Sequence, residues 1–208
     1  MMYSKARIDA LTGSVLDEMI KHISERWIED IYNTYENACS SVLKRFDVKV
    51  TELNKDRYDR MFLELLSFGL FLSINIASGI FIIKKGFFKK EIDVESKQYF
   101  RETIATLTAE YINTHSLNNI PEFVIKEIDP QIVFGYGEDI YFWNRVNSYA
   151  KLYFSEDSEG KEIELFGKNI GKALDTVHYP ILSVIGGQYC NSIVNDISKI
   201  FDKNKMSV

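Results

Sequence analysis

The sequence predicts an all-α fold: a single-domain bundle of about six to seven helices around a central apolar helix near residues 62–85. Three observations carry that expectation. Only three prolines and eleven glycines punctuate 208 residues, too few for the many turns of a β-sandwich or barrel. Apolar residues recur at steps of three and four along most of the chain, the spacing of helices with one buried face. An uncharged run over 65–83 places Phe, Leu and Ile in every direction around a helix, so it must be covered on all sides. A chain of this length withdraws roughly 70% of its unfolded surface from water, and it folds without a disulfide or metal staple. With 46% hydrophobic and 26% charged residues, the balance excludes disorder and low-complexity arrays. No repeat and no linker rich in Gly, Ser or Pro divides the chain, so 1–208 is expected to be one domain.

The first helix is expected over 14–46, where Leu16, Ile20, Ile23, Trp27, Ile31, Tyr35, Ala38, Val42 and Phe46 form one stripe. Ser14 is placed to cap it, and Asp17 and Glu18 complement the amide end of its dipole. Unbroken, it spans about 50 Å at 1.5 Å per residue, whereas a compact domain of this size is about 40 to 45 Å across. It must therefore bend, with the weak helix formers of 33–41 as the expected place, or project and pair with a second copy. The second helix is expected over 54–85. After Lys90, the phrase Glu91 to Ser96 restarts a third, which runs through Phe100, Ile104, Leu107 and Tyr111 to near His115. Pro121 opens a short helix to about Ile128. The next begins near Glu138, past Gly135 and Gly137, and continues through Trp143, Val146 and Ala150 to Phe154. Ile163, Phe166, Ile170, Leu174 and Val177 make another amphipathic helix, stopped by Pro180. The last opens at Pro180 and uses Ile185, Tyr189, Ile193, Ile197 and Ile200.

Charge and cysteine usage bound the function. Twenty-five cations against thirty anions leave a net charge of −5, so nothing draws the chain to nucleic acid. Cys39 and Cys190 form no CxxC pair. A reducing, cytoplasmic compartment fits best, and no secretory leader is read at the N-terminus.

The nineteen uncharged residues of 65–83 approach the roughly 20 that a bilayer span needs. Ser67, Ser73, Asn75 and Ser78 lower their hydrophobicity, and the flanking cations give no orientation signal. Burial beneath amphipathic neighbours is favoured over spanning, with membrane association as the alternative. Such sheathing is similar in architecture to pore-forming colicin domains and the Bcl-2 family, without any shared motif. Lys84, Lys85, Gly86, Phe87, Phe88, Lys89 and Lys90 resemble the membrane-proximal KxGFFKR element of integrin alpha subunits, with Lys90 where that family has Arg. The large β-rich ectodomains of such a receptor have no counterpart in this chain. Physically, Lys84, Lys85, Phe87, Phe88, Lys89 and Lys90 are candidate contacts for anionic lipid headgroups. The simpler reading is a set of cations complementing a helix C-terminus.

Other patterns carry less chemistry. Glu18, His22, Glu25 and Glu29 share a helical stripe, but it lies opposite the apolar face and so faces solvent. No Glu-x-x-His pair occurs, and no metal or other cofactor is expected. His115 and His178 fall near helix C-termini, a favourable place for imidazole. Gly167 to Ala173 misses the phosphate-loop spacing by one residue, and its two glycines four apart suit close helix packing. With no nucleophile elbow either, catalysis is not favoured.

Eight aromatics lie within 134–154, among them Tyr136 and Trp143, with Arg145 between them and the end of the run. On one helix these rings cannot all face one core, so either some line a pocket, a groove or a partner surface, or helices on both sides bury this one. Glu64 and Asn75 are lone polar groups in the apolar helix and need buried partners if it is internal. Tyr136, Trp143, Arg145, Glu64 and Asn75 are thus the candidate ligand or partner contacts. The expected function is non-catalytic: protein–protein interaction or self-association through the first helix or the aromatic one. The alternatives are membrane association through 65–83, and a small-molecule binder or motif-free enzyme with an aromatic pocket.

Overall fold

A computed structural model describes residues 3–41, 50–85, 89–117, 141–154, 160–174 and 179–205, with backbone alone at 83–85, 89–91, 141–143, 179–183 and 205. The fold is all-α with a central apolar helix. Its helices are α1 (Lys5–His22), α2 (Ile28–Ser41), α3 (Lys55–Ile80), α4 (Val94–Thr114), α5 (Tyr141–Tyr153), α6 (Lys161–Ala173) and α7 (Tyr179–Lys205). A short antiparallel hairpin, β1 (Ile82–Lys85) and β2 (Lys89–Ile92), joins α3 to α4.

The first helix begins nine residues before Ser14, at Lys5. Ser4 is its cap, accepting a hydrogen bond from the Arg7 amide, because the apolar stripe already starts at Ile8 and Leu11 and continues through Val15 and Met19. Gly13 and Ser14 lie inside the helix. The irregularity sits at a π-helical turn, Ile23–Trp27, and not over 33–41, which is regular helix. A π-turn inserts one extra residue and so rotates the stripe; here it turns the adjacent residues Trp27 and Ile28 both inward. Asp196 of α7 fixes that turn, accepting hydrogen bonds from the Arg26 guanidinium and, at 3.2 Å, from Trp27 Nε1.

Asn54 caps α3, accepting from the Arg57 amide at 3.0 Å. Every residue from Met61 to Ile74 is buried, and α3 contacts each of the other helices. Its most apolar eighteen-residue window is 83% buried inside the fold. Helical neighbours therefore cover the apolar run. Close approach is local: a Cβ at Gly69 would stand 2.5 Å from Met19 Sδ of α1.

The expected helix over 54–85 stops at Ile80. Phe81 leaves the helical region with ψ at 57°, and β-branched Ile82 and Ile83 continue as a strand, the conformation that suits them. Lys84 and Lys85 thus lie on β1 and Lys89 and Lys90 on β2, which replaces the reading of these cations as a helix C-terminus. Phe87 and Phe88 lie outside the described residues. Asp93 then caps α4, accepting from the Ser96 amide at 3.1 Å and its hydroxyl at 2.7 Å. His115 closes α4, its ring stacked 4.0 Å from Tyr111.

The short helix expected at 121–128 and His178 fall outside the described residues. The expected start near Glu138 lies outside the described residues, α5 being described from Tyr141, and α6 runs in place of the expected 163–177 helix, preceded by Gly160 at φ +79°. The glycine-rich stretch from Gly167 is helical, with no phosphate loop. Its role is contact: a Cβ on Gly186 of α7 would lie 2.8 Å from Gly167 Cα, so these two helices meet backbone to backbone.

Candidate functional site

A buried carboxylate organises the junction of α3, α5 and α6. Glu64 is 1% exposed, held on the face of α3 that also carries Phe68 and Phe71. Phe68 stacks on Phe166 of α6 at 4.3 Å and meets Tyr149 of α5 edge-on at 5.0 Å. These rings exclude water and bring the two helices to the carboxylate. Arg145 and Tyr149 are four apart on α5 and so share one face.

Three donors converge on Glu64. Arg145 Nε approaches Oε2 at 3.1 Å, while the Tyr149 hydroxyl and Asn169 Nδ2, the latter at 3.1 Å, both donate to Oε1. Arg145 also donates to Asn169 Oδ1 at 2.8 Å, and Asn169 Nδ2 lies 3.0 Å from the Tyr149 oxygen. The four side chains thus form a closed polar network in an apolar surround, the arrangement that a buried charge requires.

Burial lifts the Glu64 carboxyl above its ordinary range, opposed by Arg145, by the Tyr149 and Asn169 hydrogen bonds and by the charge of Lys172. Burial, with the neighbouring carboxylate second, holds the Tyr149 phenol far above its ordinary range. Tyr149 therefore stays protonated and donates. The Arg145 side chain is 24% exposed, which connects the buried cluster to the surface. Chemically, this network binds three helices together and poises a cation at its outer edge.

The sequence-derived candidates separate in space. Glu64 and Arg145 are brought together. Asn75 is half-buried on α3 and is not among the side chains gathered around Glu64. Trp143 lies on α5 with its side chain outside the description, and Tyr136 lies wholly outside it. Asn169 and Tyr149 were not singled out by sequence as partners of Glu64. The i,i+4 spacing of Arg145 and Tyr149 was the available signal, whereas Asn169, 105 positions from Glu64, gives none locally.

The remaining rings of α5 divide by position. Tyr149 is buried, whereas Tyr153 is 47% and Phe154 68% exposed. The exposed pair touch edge-on at 5.2 Å, and Tyr153 rests on Phe71 at 5.7 Å. The Glu18 to Glu29 stripe is spread along the surface: Glu18 pairs with Lys203, Glu25 with Lys21, and His22 stacks on Trp27 at 5.6 Å. Among the described residues no three His, Cys, Asp or Glu side chains cluster to hold a metal. Compared with known proteins, the chain matches no family model, no curated protein and no solved structure.

Proposed function

We propose that this chain is a non-catalytic helical binding protein that self-associates through the aromatic C-terminal end of α5. The observation that carries the reading is the exposed Tyr153 and Phe154 pair, seated on Phe71 of the central helix. Rings held on a rigid element at low entropic cost are the usual anchors of an interface. Two half-exposed rings supply only a fraction of the roughly 800 Å² per partner that a stable interface needs. They serve as its anchor, with more polar surface around them.

Two features support binding over catalysis. Both carboxylate oxygens of Glu64 already accept from neighbours, so the group is occupied in holding helices. The other candidate surface, the end of α2, is polar on its exposed side, with Glu36, Asn37, Ser40 and Ser41 outward and Tyr35 and Cys39 inward. That supports α5 over the long first helix as the self-associating surface. Burial of the α3 window argues against membrane association by spanning.

Sedimentation velocity across the micromolar range tests the reading. The wild-type chain is expected to sediment as a concentration-dependent dimer, and Phe154→Ser to shift to monomer with its melting temperature unchanged. A wild-type chain that remains monomeric throughout overturns it.

A further inference from the structure

We propose that the β1–β2 hairpin is a peripheral contact for anionic lipid surfaces. The carrying observation is register. Lys84 pairs with Lys90 and Lys85 with Lys89 across the antiparallel ribbon, so four cations occupy two consecutive cross-strand positions. Like charges directly opposite one another destabilise a ribbon, and this ribbon has only two strands to resist that repulsion. An anionic surface reverses its sign.

The ribbon is polarised along its length. From Lys84 to Lys90 the chain holds four cations and no carboxylate, whereas Glu91, Asp93 and Glu95 gather toward its base. Asp93 is engaged in capping α4, and Glu91 stands opposite Ile83, one position beyond the Lys84–Lys90 pair. Positive charge is therefore concentrated at the end away from the helices. Ile92, paired with Ile82 on the ribbon face shared by the Lys84–Lys90 pair, is 50% exposed.

Lipid fits this element better than nucleic acid does. A net charge of −5 opposes an extended polyanion lying along the protein, whereas a bilayer needs to meet only the lysine-bearing positions of the ribbon. Clustered lysines gain roughly fivefold in partition each near an anionic leaflet, an attraction that fades beyond a Debye length. The contact is independent of the α5 surface and leaves α3 buried.

Vesicle co-sedimentation of the full chain tests this, with phosphatidylcholine alone and phosphatidylcholine mixed with phosphatidylserine. Binding is expected only to the anionic vesicles, at least tenfold above neutral ones, falling as salt rises. The quadruple variant Lys84→Gln, Lys85→Gln, Lys89→Gln, Lys90→Gln should lose that preference while keeping the wild-type circular dichroism spectrum and a melting temperature no lower than that of the wild type. Equal binding to both vesicles, no binding to either, or full retention by the folded quadruple variant overturns the proposal. So does binding to heparin without binding to anionic vesicles, which would assign the cations to a soluble polyanion. If the quadruple variant unfolds, the charge-reversed pair Lys85→Glu, Lys89→Glu replaces it, with the same loss expected.

Discussion

Replacing Arg145 by alanine removes the cation from a carboxylate that is 1% exposed. The loss has two parts. Glu64 keeps its hydrogen bonds from Tyr149 and Asn169, but its charge stands unpaired in a surround of Phe68, Phe71 and Phe166. Breaking a buried pair by deleting one partner costs about 3–5 kcal/mol. For a chain of this size each kcal/mol moves the melting temperature by about 2–4 °C, so Arg145→Ala should lower it by about 6–20 °C. The pH dependence supplies a second signature. The Glu64 carboxyl is already raised by burial, so its contribution to stability is fully present below the unfolded carboxyl value and declines as pH rises through the folded one. Without Arg145, whose charge opposes the rise, the folded value climbs further. The deficit of the variant against wild type should therefore be larger at pH 8 than at pH 5. The double variant Glu64→Leu, Arg145→Met removes both charges and should recover most of the loss, since apolar replacement of a buried pair is often neutral or better. Urea titrations of the three variants at the two pH values are the assay. A deficit below about 1 kcal/mol, or one independent of pH, refutes the account of the cluster as a buried charge clamp.

Asp196→Ala should cost about 1–3 kcal/mol, because Trp27 Nε1 loses its acceptor while remaining buried; a shift in tryptophan emission would accompany it. Gly186→Ala should destabilise by about 1–3 kcal/mol, since its new methyl would press on the Gly167 backbone of α6. By contrast, Gly13→Ala enters open space within α1 and should stabilise by about 0.5–1 kcal/mol, as both thermal melts would record. The Cys190 thiol, pushed up to about 11 by burial and by Glu162, should resist alkylation in the native protein at neutral pH and react once the chain is unfolded in urea. Fast native labelling at that position would contradict its placement in the α7 core.

Much of the helical order was legible in the sequence because amphipathic stripes repeat at a period that no strand shares. The run of Leu, Phe and Ile in α3 announced its own burial, since no single face could hold it. Three features were hidden for identifiable reasons. Phe81, Ile82 and Ile83 prolong the apolar run without changing its hydrophobicity, so periodicity alone does not separate the end of α3 from the start of β1. The π-turn at Ile23–Trp27 adds one residue, which steps of three and four absorb without visible interruption. Glu64 declared its need for a partner as an acid in apolar sequence. The identity of those partners depends on α5 and α6 folding back across α3, and that is a property of packing. The aromatic surplus of 134–154 likewise implied rings outside the core, yet only the structure separates the buried Tyr149 from the exposed Tyr153 and Phe154.

Hydrogen exchange on the full chain in detergent-free buffer tests the central claim most directly. If neighbouring helices cover α3, the amides of Met61 to Ile74 exchange only through global unfolding and are the slowest in the protein. Rapid exchange along that stretch, or a chain that stays in solution only with detergent, would show that something other than its own helices must cover it.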